Sequence, residues 1–347
     1  MSIIDSKIFE YLDMNVDNGL ATDESFAAMT GFQKMFYKQV KDKLGIDAVY
    51  FLRDESGIAK IPLIYFSFID EYNPEKIAEL HKLAWNLGEA PLLFVISPTD
   101  IIIYNNYQTP RKTDGGLDPT AGFIENISRL VELEKQKEAL FKYNRKFLES
   151  GDYWITSRKR FNVDTRIDST LMNNLRIMRR KLINRISNRT LKYDINKSKV
   201  ISVVHALLCR SILIKYLEER KDSNGRSVFP NDFYNQFCTY NNKFSNYTEI
   251  LSDKYATYRL FDVLENKFNG DMLPLIENEK DIVEQEDLLE LQSFIRGDED
   301  LNNNQLALWP LYDFNIIPIQ MISNIYELFF HLSEQDDEKG TYYTPLH

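Results

Sequence analysis

Cysteine is nearly missing from this sequence: Cys209 and Cys238 are the only two in 347 residues. No disulfide framework can be built on them, so the fold must rest on packed cores. Glycine is scarce as well, at 13 residues, which argues against a complete Gly-rich nucleotide-binding architecture. No Gly-x-Ser-x-Gly elbow, P-loop or dinucleotide fingerprint occurs. The four histidines, His81, His205, His331 and His347, are widely spaced and lack Cys partners, so no zinc site is indicated. No apolar run approaches the roughly 18–20 residues that span a bilayer. The longest, "APLLFVI" at Ala90–Ile96, has the length of a buried strand. The start, "MSIIDSKIFEYLD", has neither the basic start nor the apolar run of a signal peptide. These absences lead to the expectation of a soluble, cytoplasmic protein.

What is present suits globular cores: 44% of residues are apolar and 13% aromatic. The length suggests at least two domains. The first part alternates. Asp23–Leu44 has helical spacing and stops at Gly45; "DAVYFL" (Asp47–Leu52) and "IPLIYFSFI" (Ile61–Ile69) read as a hairpin. Asn73-Pro74 opens a helix that Gly88 ends, and "PLLFVIS" and "DIIIYNN" come next as two more strands. The polar, Pro- and Gly-rich stretch Gln108–Gly122 reads as a linker. Beyond it the period is helical, with candidates at Ile124–Glu149, Ile167–Ile186, Lys197–Glu219, Lys254–Phe268, Glu284–Ile295 and Pro318–Leu332. The expected class is α+β: an α/β domain at 1–110, a linker at 111–122 and a helical connector at 123–335.

Charge is unevenly distributed within the net −10. Arg158, Lys159, Arg160, Arg166, Arg176, Arg179, Arg180, Lys181, Arg185, Arg189 and Lys192 follow one another against only Asp164 and Asp168. On the helix from Ile167, the apolar residues Leu171, Leu175, Met178, Leu182 and Ile186 keep one face. Arg176, Arg179, Arg180, Lys181 and Arg185 cannot all share it, so several are expected outside, tracking DNA phosphates. The competing reading pairs them with the acidic stretch Asp271–Asp300.

A helix–hairpin–helix–strand order with an acidic residue, Asp47, at the head of a strand is the layout of the PD-(D/E)xK nuclease core. That chemistry needs carboxylates on a divalent metal and a lysine beside the attacked phosphate. The Glu and Lys would lie two apart on the second strand and share its face. Tyr65 and Ser67 occupy those places. Glu79 could supply a missing carboxylate, but nothing supplies the lysine, so the expectation is an inactive nuclease-like domain with Mg²⁺ excluded unless it is active.

Five stretches, "WNLGEAPLLFVISPTDIIIYNN", "IDSTLMNNLRIMRRKLI", "HALLCRSILIKYLEER", "ATYRLFDVLENKFNGDMLP" and "LWPLYDFNIIPIQMISNIYELFF…KGTYYTPLH", resemble in order the front half of large bacterial type IIG N6-adenine DNA methylases. The last is the most specific. In that family "GTYYTPLH" resembles the motif before the methyltransferase core that wraps S-adenosylmethionine. The resemblance thus implies a DNA-engaging front region of a restriction-modification enzyme, with 336–347 as the first motif of a methylase core. It implies cofactor binding by Tyr343, Thr344 and Pro345, only together with that core, and further domains or subunits as partners. The Asn-Pro-Pro-Tyr motif that holds a flipped adenine is nowhere in the chain, so no catalysis by this chain alone is expected. A second reading is a non-enzymatic helical scaffold that binds a protein partner through charge.

Overall fold

A computed structural model describes residues 3–331 apart from 30, 55, 191–194, 223, 240–241, 269–274, 298–299, 303–304 and 307–308. The chain divides into two units, Met1–Thr170 and Leu171–His347. The division falls some sixty residues after the expected boundary at 110.

The first unit is built on one mixed sheet. Its elements are α1 (Ile3–Tyr11), β1 (Leu20–Thr22), α2 (Gly31–Leu44), β2 (Ala48–Arg53), β3 (Ala59–Phe68), α3 (Pro74–Leu87), β4 (Leu92–Ile96) and β5 (Asp100–Asn105). A small hairpin comes next, β6 (Lys112–Thr113) with β7 (Gly116–Leu117), and then β8 (Phe123–Ser128). The sheet order is β1-β2-β3-β4-β5-β8. Only β3 and β4 run parallel, because helix α3 carries the chain back between them; the other pairs are antiparallel. Helix α3 begins where Asn73 Oδ1 accepts the Lys76 N–H at 3.0 Å, with Pro74 in its first turn, and ends at Gly88 with φ 73°.

Strand alternation sorts the core into two faces. Tyr50, Ile64, Phe66, Leu92, Phe94, Ile96, Ile101 and Ile103 pack with Phe9 and Leu12 of the N-terminal segment. On the opposite face Phe36 of α2 meets Phe51 edge-on and stacks on Tyr65. Strand β4 is buried along its whole length, so both faces are covered there and its sequence is a continuous apolar run.

The segment expected to be a linker and then a long helix is neither. Residues 123–128 form the sixth strand, paired antiparallel with β5. Three short helices succeed it: α4 (Leu133–Leu140), α5 (Arg145–Glu149) and α6 (Asp152–Thr156). Ile124, Ile127 and Val131 fall at helical spacing, which imitates a helix stripe. Asn144, capping α5, and Gly151, with φ 88°, divide the remainder into separate short helices.

The second unit takes helix α7 (Ile167–Thr190) beyond its first turn, then α8 (Lys197–Glu219), α9 (Tyr247–Ile250), α10 (Lys254–Lys267), α11 (Glu279–Ile282), α12 (Gln285–Arg296) and α13 (Ile319–His331). Two short paired strands, β9 (Asp300–Asn302) and β10 (Gln305–Leu306), interrupt it, so it is not wholly helical. Among the described residues only α8 is long and apolar enough to cross a membrane, by length and composition alone. Most of it is buried in the protein: Val200, Val203, Val204, Leu207, Leu208, Ile212 and Ile214 are core residues.

Candidate nucleic-acid interface

Helix α7 buries the expected face, with Leu171, Leu175, Met178, Leu182 and Ile186 fully enclosed. The cations on its other sides have separate fates. Arg179 is 0% exposed and its Nε donates to His205 Nε2 at 2.5 Å. It cannot reach a phosphate, and the expectation that it does is corrected: one turn from Leu175 and Leu182, its stem runs inside the unit. Lys181 pairs with Glu290. Arg185 Nη1 lies 2.8 Å from Glu290, and its Nε 3.3 Å from Asp287. Arg189 grips the same Asp287 at 2.6 Å and donates to the Ile282 carbonyl at 2.7 Å. Asp287 foremost, with Glu284 and Glu286, raises the pKa of Arg189 further.

Part of the acidic stretch is therefore used inside the unit. Glu279 joins Arg210 of α8 at 2.8 Å with both side chains 1% exposed. Glu284 meets Lys254 at 3.2 Å. On α7, Arg180, exposed, and Arg176, half-buried, make no ion pair with a described residue. They stand four apart and so share one side of the helix.

Upstream lies a second group, part of the basic run but not distinguished within it by sequence alone. Arg158, Lys159 and Arg160 are all exposed and make no ion pair with a described residue. With Lys142, Tyr143, Tyr153, Ile155, Thr156 and Ser157 they line an open depression in the first unit. Three adjacent cations are visible in the sequence; that they lack carboxylate partners is not.

The nuclease-like positions are also resolved. Tyr65 and Ser67 are buried on β3, and neither supplies the carboxylate or the ammonium that the chemistry needs. Asp47 precedes β2, and its Oδ2 accepts the Phe68 N–H at 2.7 Å. Burial raises its pKa, partly offset by that hydrogen bond. Its neighbours are residues that sequence reasoning missed. Tyr37 OH donates to the Asp47 carbonyl at 2.9 Å and to Asp23 Oδ1 at 3.1 Å, and Lys41 pairs with Asp23. Glu79 is exposed and bound to Lys82 at 3.0 Å. Among the described residues no three His, Cys, Asp or Glu side chains converge in a way that could hold a metal ion. Asp47 and Glu79, each engaged elsewhere, do not fit a Mg²⁺ site. Tyr343, Thr344 and Pro345 lie outside the described residues.

Comparison with protein-family models, with curated proteins and with solved structures found no match.

Proposed function

We propose that this chain is a DNA-engaging region, the front part of a cytoplasmic N6-adenine restriction-modification methyltransferase that has no catalysis of its own here. The observation that carries the reading is positive charge left unneutralised in an acidic chain. Arg176 and Arg180 on α7 face away from the apolar stripe without a carboxylate among the described residues, although the same unit neutralises Lys181, Arg185 and Arg189. Arginines held on a packed helix follow a phosphate backbone and carry little sequence information. S-adenosylmethionine would be held only together with a methylase core. The helix–hairpin–helix–strand order of α2, β2–β3, α3 and β4 supports a nuclease-like ancestry for the first unit, with its chemistry lost. The scaffold alternative relies on the acidic segment; there Glu279, Glu284, Asp287 and Glu290 are already paired inside the unit, which leaves exposed Glu277, Asp281 and Glu286 to recruit a partner.

The test is fluorescence anisotropy of the chain on two unrelated duplexes over a salt series. The unaltered chain should bind both, with affinity falling steeply as salt rises. Arg176→Ala with Arg180→Ala should weaken both equally and flatten the slope of log K against log salt by about 0.9 for each phosphate no longer neutralised. No binding at low salt overturns the reading.

A further inference from the structure

We propose that the turn Arg158–Lys159–Arg160 is a phosphate-binding site for the backbone of duplex DNA, distinct from α7; it rests on the DNA-engaging reading above. The turn comes directly after α6 and is fixed rather than loose. Arg160 N donates to the Ser157 carbonyl at 2.8 Å. The carbonyl of Arg160 accepts from Asn105 Nδ2 at 2.6 Å, and Asn105, at the end of strand β5, is buried. Aromatic side chains bracket it on both sides. Trp154 and Phe161 lie 5.2 Å apart edge to face, and Tyr153 packs against both at 5.0 and 6.0 Å. The backbone is thus tied to the sheet, while three consecutive cationic side chains project into water.

Of the carboxylates in this part of the first unit, Glu125 and Glu149 are neutralised elsewhere, while Asp152 and exposed Asp164 make no ion pair with a described residue. Glu125 is held by Lys142 and by the Tyr143 hydroxyl. Glu149 is held by Arg145 at 2.9 Å and by Tyr50 OH at 2.5 Å. Asp152 accepts from Ser150 Oγ at 2.8 Å. Three adjacent like charges repel one another, which an anion spanning several of them relieves. A nucleic-acid backbone presents a charge every few ångströms and matches a run of adjacent cations. Ile155, 74% exposed on the same rim, adds an apolar edge that a deoxyribose can cover. Because the turn is pre-organised, little conformational entropy is lost on binding.

The experiment uses the full chain and a fluorescein-labelled duplex. Arg158→Ala, Lys159→Ala and Arg160→Ala are combined and compared with the unaltered chain over a salt series, with thermal melting alongside. Binding should weaken roughly tenfold or more near 0.1 M salt and the log–log slope should flatten by about 0.9 for each phosphate no longer neutralised, with the melting temperature unchanged. Unlabelled duplex should displace the probe far better than poly-glutamate of equal charge. Unchanged binding and slope in the triple variant overturn this site while leaving the DNA-engaging reading intact. Failure of the unaltered chain to bind overturns both. Equal displacement by poly-glutamate overturns the site in favour of an acidic protein partner.

Discussion

His81 is buried on α3 with its Nε2 3.0 Å from the carbonyl of Asn105. Burial lowers its pKa from 6.5 to about 4, against a smaller opposing effect of that hydrogen bond. The unfolded chain therefore takes up a proton near pH 6.5, where the folded chain does not. Stability attributable to this residue is intact above pH 6.5 and is lost as pH falls through about 4. The slope is about 1.4 kcal/mol per pH unit. His81→Gln, neutral and still able to donate, should remove that part of the pH dependence in urea titrations between pH 4 and 7. An identical slope in the variant would show that His81 titrates normally. Gly122 explains why the ring sits so tightly: with φ +76°, its backbone approaches until an added Cβ would lie 2.5 Å from His81 Nε2. In sequence it is only one glycine of an apparent linker. The other decisive residue-scale feature is Arg210 with Glu279. Tyr258 OH donates to the same carboxylate at 3.2 Å, and the guanidinium lies 4.4 Å from the Phe261 ring centre. Glu279→Gln removes the charge that compensates a buried guanidinium and should cost about 3–5 kcal/mol. Asp42→Asn, which breaks the exposed pair with Lys38, should cost about 0–1 kcal/mol. Equal losses in urea denaturation would contradict the burial argument.

At the scale of elements, legibility depended on whether one signal or two were present. Helix α8 was readable to the residue, Lys197–Glu219, because its apolar run is long and Asn196 caps it through the Ser198 N–H at 2.9 Å. Strands β2 to β5 were readable because β-branched and aromatic runs are bounded by turn residues. Strand β8 was not, since its pairing partner lies across the β6–β7 excursion and local spacing favoured a helix. On α7 the buried stripe was legible, yet the destination of each arginine was not. Side-chain reach and the position of α12 decide it, and neither leaves a mark on local periodicity. The consequence is a sharp contrast between adjacent residues. Arg179→Ala removes a buried side chain and its bond to His205, and should destabilise by about 2–4 kcal/mol. Arg180→Ala, an exposed change next door, should stay within about 0.5 kcal/mol. Thermal melts of the two single variants decide it, and similar melting temperatures would mean that Arg179 is not a core residue.

At the scale of the whole molecule, the division after Thr170 determines which stretch of chain folds by itself. The α/β core was expected to close at residue 110. Its buried set nevertheless includes Ile127, Leu140, Tyr143, Leu148 and Tyr153, all from the chain beyond that point. Burying a large apolar side chain contributes about 1.5–3 kcal/mol, so these five together supply about 7–15 kcal/mol. That equals the net stability of a typical domain, about 5–15 kcal/mol. Truncation at 110 also leaves β5 as an unpaired edge, with Ile101 and Ile103 stripped of their cover, an invitation to aggregation. A fragment of residues 1–170 should therefore melt cooperatively with the far-ultraviolet signature of a mixed sheet. A fragment of residues 1–110 should lack a cooperative transition or precipitate. Fragment 1–128 separates two contributions: it restores the strand pairing to β5 but not the packing of α4 to α6, and should be soluble only at low temperature if packing dominates. A cooperative melt for 1–110 matching that of 1–170 would place the boundary back at the linker and would make β8 an accessory strand.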